Sequence, residues 1–130
     1  MTHAGLSALY AVILLLVAGL NYIPGTRDAA GLVFGIFALD PFDDMLHLVS
    51  ALWAAYAAFR GGAAARLFLT VFGAAYLADG MMGIATGFGF LDFAIFTNDP
   101  IPFSLGLPRL LANLPHIALG AIALIAGIRR

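Results

Sequence analysis

The chain has 130 residues, of which 63% are hydrophobic and only 10% are charged, and its mean hydropathy is +1.03. So little polar surface cannot cover a soluble domain of this length, which excludes an ordinary water-soluble protein. The formal net charge of −1 provides no basic surface for nucleic acid, and the lack of cysteine excludes disulfides, thiolate metal sites and cysteine nucleophiles.

Four apolar stretches are long enough to cross a bilayer, whose hydrocarbon core of ~30 Å requires about 20 helical residues. The stretches are residues 4–23, 43–59, 65–87 and 109–128, and the helix breakers Pro24-Gly25, Gly61-Gly62 and Pro108 lie between them. The first stretch lacks the basic flank of a secretory signal, so we interpret it as a retained helix. The sequence predicts an all-α integral membrane protein, a single four-helix transmembrane domain over residues 1–130.

Two further apolar runs are too short to span the membrane. Residues 31–39 and 87–96 are rich in Phe and lie between the predicted spans. We expect them to lie at the membrane surface, or to pack over the end of the bundle, as short helical or looping segments.

The arginines indicate an orientation in the membrane. Four of them share the side of the N-terminus and two lie on the other side, namely Arg60, Arg66, Arg129 and Arg130 against Arg27 and Arg109. The positive-inside rule therefore predicts a multi-pass protein with both termini in the cytoplasm. The Phe- and Asp-rich connections would then face the outside.

An internal repeat is the most specific pattern in the sequence. Residues 34–41 and 93–100 share F-x-I-F-x-x-D-P, and residues 44–47 and 113–116 share [D/N]-x-x-H. The second copy carries a Pro-rich insertion between the two motifs. Two crossings per copy restore the starting side, so the sequence predicts parallel repeats, about residues 4–60 and 64–130, related by an axis along the membrane normal.

Small residues follow both histidines at offsets of four, seven and eleven. They are Ala51, Ala54 and Ala58 after His47, and Gly120, Ala123 and Gly127 after His116. Small residues on one helical face allow close helix packing in lipid, which predicts that both histidines point into the bundle.

These paired halves, each with an [N/D]-x-x-H motif followed by a small residue four positions later, resemble a bacterial four-helix membrane family catalogued as domain of unknown function 4383. The resemblance covers most of the chain. It implies a four-helix fold in the bacterial inner membrane and no known chemistry, cofactor or substrate.

Three ionisable residues are expected at one level of the membrane. Asp79 lies roughly 20 Å along its helix from Arg66, at 1.5 Å per residue, which is the outer third of the bilayer. A charge there costs roughly 2.5–3.5 kcal/mol, so it is usually paired or functional. His47 and His116 each lie one or two turns below the outer ends of their helices, so all three are expected to converge.

Three interpretations of this cluster stay open. Asp79 could accept hydrogen bonds from the imidazoles in a structural network completed by Asn21 and Asn113. His47 and His116 could instead supply both axial ligands of a haem, or bind Zn, Cu or Fe together with Asp79. Asp44, Asn113 and Asn21 would then not bind the metal themselves but would orient its ligands by hydrogen bonds. The third interpretation is a path for protons or a solute.

The other acidic residues have simpler predicted roles. Asp40, Asp43 and Asp99 are expected to cap helix starts, because a carboxylate accepts hydrogen bonds from free N–H groups and Pro suits the first helical position. Arg109 is expected to extend to the interface or to pair with Asp99 or Asp40.

No nucleophile elbow, phosphate-binding loop, zinc-protease motif or dinucleotide fingerprint occurs, so the sequence does not indicate an enzyme. Three function classes remain. The preferred one is a non-catalytic accessory or scaffolding subunit. The expected partners of the chain are the lipid bilayer and either a larger membrane complex or further copies of itself. The others are a haem- or metal-binding electron-transfer protein and a small carrier that works as an oligomer.

Overall fold

A computed structural model describes residues 1–129; Arg130, one of the arginines counted for orientation, lies outside the described residues. The described chain is helical and has no strand. Its helices, in chain order, are α1 (His3–Gly19), extended by a 3₁₀ turn (Leu20–Tyr22), α2 (Pro41–Arg60), α3 (Gly62–Thr86), the short α4 (Ala94–Thr97) and α5 (Leu107–Ile128). The four predicted long helices are confirmed, with ends that shift by at most a few residues.

Three of these helices are long and apolar enough to cross a membrane. They are α1 with its 3₁₀ turn, His3–Tyr22, then Gly62–Thr86 and Leu107–Ile128. The remaining long helix, α2, has 20 residues and carries Asp43 and Asp44 in its first turn. The chain divides into two compact units, the first from Met1 to Phe68 and the second beginning at Leu69.

In the first unit, α1 packs against α2. Phe68, at the end of this unit, is buried and packs edge-to-face with Tyr10 and with Trp53, at centroid distances of 6.3 Å and 5.0 Å. Such edge-to-face pairs are the favoured geometry for aromatic side chains. The buried aromatic residues of the first unit therefore lie on α1 and α3, whereas the buried residues of α2 are small apart from His47.

The buried stripe of α2 differs in one position from the sequence prediction. Ala51 and Ala54 are buried as predicted, but the next buried residue is Ala57, and Ala58 is half-exposed. Buried positions recur seven residues apart, from His47 to Ala54, which is a 3.5-residue period. A straight α-helix has 3.6 residues per turn, so a stripe with the shorter period drifts around the helix.

The start of α2 shows the predicted capping chemistry. The Asp40 carboxylate accepts from the N–H groups of Phe42 at 2.8 Å and Asp43 at 3.0 Å. The Asp43 carboxylate accepts from the Asp40 N–H at 2.9 Å, which completes a capping box. Pro41 occupies the first helical position. The prediction of caps at Asp40 and Asp43 is confirmed.

The segment between the 3₁₀ turn and α2, residues 23–40, is called here the first connecting segment. Val33 is fully buried there and pairs by isolated β-bridges with Arg27 and Phe37. Phe34 follows with a φ of 53°, a value that non-glycine residues rarely adopt. This segment is a looping structure rather than a helix.

In the second unit, the part of α3 from Leu69 onward packs closely against α5. A Cβ at Gly73 would meet the Leu124 Cα at 2.7 Å, and a Cβ at Gly120 would meet the Leu77 Cα at 2.8 Å. Real Cβ atoms do not approach backbone this closely, so both positions require glycine. Gly120, Ala123 and Gly127 are all buried, which confirms the predicted small-residue face of α5.

The second connecting segment, residues 87–106, includes α4 and then an extended stretch. Phe93 precedes α4 with a φ of 66°. Asp99 does not cap a long helix, because α5 begins at Leu107 after Gly106. The prediction of a cap at Asp99 is wrong, since the insertion separates the Asp-Pro pair from the helix. Pro108, predicted as a breaker, lies in the first turn of α5, where proline is tolerated.

Candidate functional site

Asp79 is the most completely bonded acid in the second unit. It lies on α3 with only 3% of its surface exposed. Its Oδ1 accepts from the backbone N–H groups of Phe90 at 2.7 Å and Leu91 at 2.8 Å. Its Oδ2 accepts from the Nδ1 of His116 at 2.6 Å. We call these four groups the Asp79 cluster. It ties three parts of the second unit together: α3, α5 and the second connecting segment.

Gly89 allows this segment to approach the carboxylate. A Cβ at position 89 would lie 2.6 Å from the Asp79 Oδ1 and 2.7 Å from its Oδ2. Any other residue would therefore displace the carboxylate or the segment. The two N–H donors that follow, at Phe90 and Leu91, reach the carboxylate because Gly89 lets the backbone pass against it.

His116 is held on two sides. Its Nδ1 donates to Asp79, and its ring lies 4.8 Å from the ring of Tyr76, tilted by 49°. Tyr76 stacks in turn on Phe72 at 4.0 Å. Because an ionised carboxylate can only accept, the proton of this hydrogen bond lies on Nδ1, and in the neutral ring Nε2 is the basic nitrogen. This is the tautomer that ligand histidines use when they bind through Nε2.

Asn113 and Arg109 satisfy backbone groups in the second unit. The Asn113 amide donates to the Arg109 carbonyl at 2.9 Å, and the Arg109 guanidinium donates to the Ile84 carbonyl at 3.2 Å. Ile84 lies in the last turn of α3, so a cation there stabilises the negative end of the helix dipole. The predicted role of Asn113 beside His116 stays a prediction.

The first unit contains a second polar group of residues. The Asp44 carboxylate accepts from the Asn21 amide at 2.9 Å and from the Tyr22 hydroxyl at 3.1 Å. The Asn21 amide also donates to the Leu39 carbonyl at 3.1 Å. These bonds join the 3₁₀ turn to the start of α2. Asp44 is thus the exception among the clustered acids, because it bonds across elements rather than capping its own helix.

His47 lies one turn into α2 and is 5% exposed. Its Nδ1 is 2.7 Å from the Asp43 carbonyl oxygen. A carbonyl only accepts, so Nδ1 donates and Nε2 is the basic nitrogen of the neutral ring, as in His116. The prediction that Asp44 orients this imidazole through its side chain stays a prediction.

The structure thus brings together Asp79 with His116 in one unit, and Asn21 with Asp44 in the other. Among residues 1–129, no group of three or more His, Asp and Glu side chains is placed to hold a metal ion. The ligand pair His47 and His116 stays a prediction, and so does its extension to Asp79.

Several participants were not predicted from the sequence. The N–H groups of Phe90 and Leu91 are backbone donors, so their side chains give no signal. Tyr76 and Tyr22 were not predicted to touch the polar residues. The glycines at 87 and 89, directly after a long helix, were the available signal that the chain turns back closely there.

Comparison with protein-family models, with curated proteins and with solved structures gives no match to this chain. The resemblance to domain of unknown function 4383 stays a prediction, and the function is argued from the site alone.

Proposed function

We propose that the chain crosses the membrane four times, with α2 as the additional span. The distribution of side chains on α2 supports this proposal. His47 and Ser50 are buried, whereas Val49, Leu52 and Phe59 are exposed. A helix in water exposes its polar face, and lipid favours the reverse arrangement, because apolar side chains match the hydrocarbon and polar groups need partners inside the protein.

We further propose that the two halves are parallel repeats in one domain. In the described residues, positive φ at non-glycine positions occurs at Phe34 and Phe93. Both are the first residue of the repeated F-x-I-F-x-x-D-P motif. Each half also places a histidine in the first half of its last helix, with Nδ1 donating a hydrogen bond. These shared details support the repeat beyond the letters of the motif.

Introduced cysteines test the fourth span cleanly, because the chain has no cysteine of its own. Leu52→Cys in α2 should resist a membrane-impermeant maleimide in intact membranes and react after detergent is added. Asp99→Cys is the matched control, since it should react from outside. Rapid labelling of Leu52→Cys in intact vesicles would contradict the fourth span.

We propose that the protein is a non-catalytic accessory or scaffolding subunit of the bacterial inner membrane. The observation that supports this proposal is the Asp79 cluster, in which both carboxylate oxygens accept hydrogen bonds from groups of the same chain. A buried acid with this bonding stabilises the helix pair and its connecting segment. The apolar outer faces of the helices are then the surfaces offered to lipid and to other membrane proteins.

The accessory proposal predicts the composition of the native particle. The protein, at its natural expression level, would be extracted with its lipids by an amphipathic polymer, and the particle mass and composition measured. We expect a second polypeptide in fixed ratio to this 13.6 kDa chain. A particle that contains this chain alone, as monomer or homo-oligomer, would overturn the accessory proposal.

A haem- or metal-binding protein with an electron-transfer role is the second candidate. The hydrogen bonds at His47 and His116 favour it, because both rings donate through Nδ1 and so present Nε2 as the basic nitrogen. Ligand histidines typically donate their other nitrogen to a carbonyl or a carboxylate, as here to Asp43 and Asp79. Two such nitrogens match the axial ligands of a haem.

A visible spectrum and a metal analysis of the same purified sample test this candidate. We expect a bound chromophore or a stoichiometric metal, lost in both His47→Ala and His116→Ala, with His3→Ala as the control histidine. A colourless, metal-free protein from membranes supplied with haem and metals would contradict it.

A further inference from the structure

We propose that Tyr56 and Arg60, at the end of α2, bind the phosphate group of an anionic lipid in the cytoplasmic leaflet. This inference rests on the four-span proposal and on the predicted orientation, which together put the end of α2 at the cytoplasmic surface. Tyr56 lies one turn before Arg60, so the two side chains are neighbours on one face of the helix. We call these two residues the Tyr56–Arg60 pair.

Two contacts hold the Tyr56–Arg60 pair in one arrangement. The Arg60 Nη1 donates to the Tyr56 hydroxyl oxygen at 2.9 Å. The guanidinium carbon of Arg60 also lies 5.8 Å from the centre of the Tyr56 ring, within the reach of a cation–π interaction. Because the hydroxyl accepts from Arg60, its own hydrogen can be donated to another group. The pair therefore presents an O–H and the remaining guanidinium N–H groups as neighbouring donors.

The positive charge of Arg60 has no acidic partner in the part of the chain that the structure describes. The nearest acid before it in the sequence is Asp44, which lies roughly 24 Å away along α2, at 1.5 Å per residue. That separation exceeds the ~8 Å over which exposed charges interact at physiological salt. No Asp or Glu occurs in residues 45–78. An anion at the pair would therefore meet no carboxylate on α2 close enough to repel it.

Stabilisation of the helix end does not account for the pair. A cation in the last turn of a helix interacts favourably with the free carbonyl groups there. The guanidinium of Arg60, however, donates its hydrogen bond to a side chain, the Tyr56 hydroxyl, and not to a carbonyl oxygen. The Ala57 carbonyl in this turn accepts from the Gly61 N–H at 2.9 Å. The donors of the pair are thus directed to something other than the backbone of α2.

The aromatic residues around the pair suit the membrane interface. Phe59 exposes 88% of its surface and Tyr56 exposes 55%, and Trp53, one turn before Tyr56, exposes 36%. Tyr and Trp are enriched at the level of the lipid headgroups, because their rings are apolar and their polar atoms can still form hydrogen bonds. These exposed rings offer an apolar surface to the acyl chains of a lipid whose phosphate is bound by the pair.

The charge of the pair favours an anionic lipid over a zwitterionic one. Guanidinium and hydroxyl donors match the oxygens of a phosphate group, which both kinds of phospholipid carry. Phosphatidylcholine adds a choline cation, which Arg60 would repel. Phosphatidylglycerol has no such cation and keeps a net negative charge, which an arginine near the cytoplasmic surface attracts.

Native mass spectrometry of the purified protein can measure this binding. The protein in detergent would be mixed with equal amounts of phosphatidylglycerol and phosphatidylcholine that carry the same acyl chains. We expect the parent to retain phosphatidylglycerol in preference. Tyr56→Phe keeps every charge and removes one donor, so retention should fall on the order of fivefold, which corresponds to the ~1 kcal/mol of one hydrogen bond. Arg60→Gln should lower retention at least as much.

Arg129→Gln is the matched control. It removes the same charge from an exposed arginine that is predicted on the same side of the membrane. Detergent provides no charged bilayer surface, so loss of this charge should leave retention close to that of the parent. Tyr56 is exposed, and we expect Tyr56→Phe to melt like the parent, which separates a loss of binding from a loss of folding.

Four results would overturn the lipid site. The parent could retain both lipids equally, or Tyr56→Phe could retain phosphatidylglycerol as well as the parent does. Arg129→Gln could lower retention as much as Arg60→Gln, which would indicate a diffuse attraction between charges. Displacement of the bound lipid by inorganic phosphate at the same concentration would identify free phosphate as the ligand instead.

The labelling of Leu52→Cys keeps a failure of this site apart from a failure of the four-span proposal. If Leu52→Cys is protected in intact membranes and Tyr56→Phe retains lipid like the parent, the fourth span stands and the lipid site is wrong. Rapid labelling of Leu52→Cys would instead overturn the fourth span, and with it the position of the pair at the cytoplasmic leaflet.

Discussion

Replacing Asp79 should separate the effect of its charge from the effect of its hydrogen bonds. Three donors converge on the carboxylate: the N–H groups of Phe90 and Leu91 and the Nδ1 of His116. Asp79→Leu leaves all three without an acceptor, at about 1–3 kcal/mol each, so the loss is about 3–9 kcal/mol before water or movement compensates. A loss of this size is comparable to the whole stability of a small domain.

Asp79→Asn should be milder. The amide oxygen can still accept from Phe90 and Leu91. The amide nitrogen can donate to the His116 Nδ1 only if the ring moves its proton to Nε2, so the loss is at most about 1–3 kcal/mol. Gly89→Ala should reduce the stability by a similar amount. Its new Cβ would lie 2.6 and 2.7 Å from the two carboxylate oxygens of Asp79 and would push the carboxylate away from the second connecting segment. Overpacking of this kind costs about 1–3 kcal/mol.

Melting temperature in lipid nanodiscs and amide exchange of residues 87–97 are the two measurements. We expect stability to fall in the order parent, Asp79→Asn, Asp79→Leu, with faster exchange at Phe90 and Leu91. Asp92→Asn is the matched control, since that carboxylate bonds to the Ala94 N–H within its own turn. Asp79→Leu could instead have the melting temperature of the parent and unchanged amide exchange. The Asp79 cluster would then not hold the second connecting segment in place, and the prediction would be wrong.

Four further variants test other parts of the fold. Gly120→Ala should reduce the stability by about 1–3 kcal/mol, because its Cβ would meet the Gly73 carbonyl oxygen at 2.9 Å. Gly19→Ala is the control, since its Cβ would have nothing within 4 Å. We expect the control to be neutral or stabilising in the same thermal melt. Asp40→Ala removes the capping box and should reduce the stability by about 1 kcal/mol. A melting temperature equal to that of the parent would contradict the role of Asp40 as a cap. Arg129→Cys should react with an impermeant maleimide only from the cytoplasmic side, and labelling from outside would reverse the proposed orientation.

The sequence predicted the long helices because their signal is composition over many residues. Runs of about 20 apolar residues between glycine and proline leave few alternatives. The caps at Asp40 and Asp43 were also predictable, because capping chemistry is local and depends on residue types a few positions apart. The burial of Asp79 followed from its position in an apolar helix, where an acid requires partners.

The partners of these polar groups were less predictable. The Asp79 carboxylate takes two of its three donors from the backbone, which has the same chemistry at every non-proline residue. The structure buries Ala57 where the sequence predicted Ala58. A drift of the buried stripe by a few tens of degrees around the helix decides which of these alanines faces inward. The start of α5 depended on where the ten-residue insertion of the second copy would end, and an extended chain leaves little signal in the sequence.

His116→Asn can distinguish a structural histidine from a ligand histidine. The amide nitrogen of Asn reaches a position close to that of the imidazole Nδ1, so it can still donate to the Asp79 Oδ2, which now lies 2.6 Å from that nitrogen. Asn has no counterpart of Nε2, the nitrogen that would bind iron or another metal.

If the histidine is structural, His116→Asn should melt close to the parent, while His116→Ala leaves the carboxylate short of a donor and loses about 1–3 kcal/mol. If the histidine is a ligand, both variants lose the chromophore or metal, and only His116→Ala also loses the hydrogen bond. The two measurements, melting temperature and bound haem or metal, therefore give different patterns for the two proposed functions. A His116→Asn protein that melts as low as His116→Ala would show that the Nδ1 hydrogen bond does not account for the stability of this site.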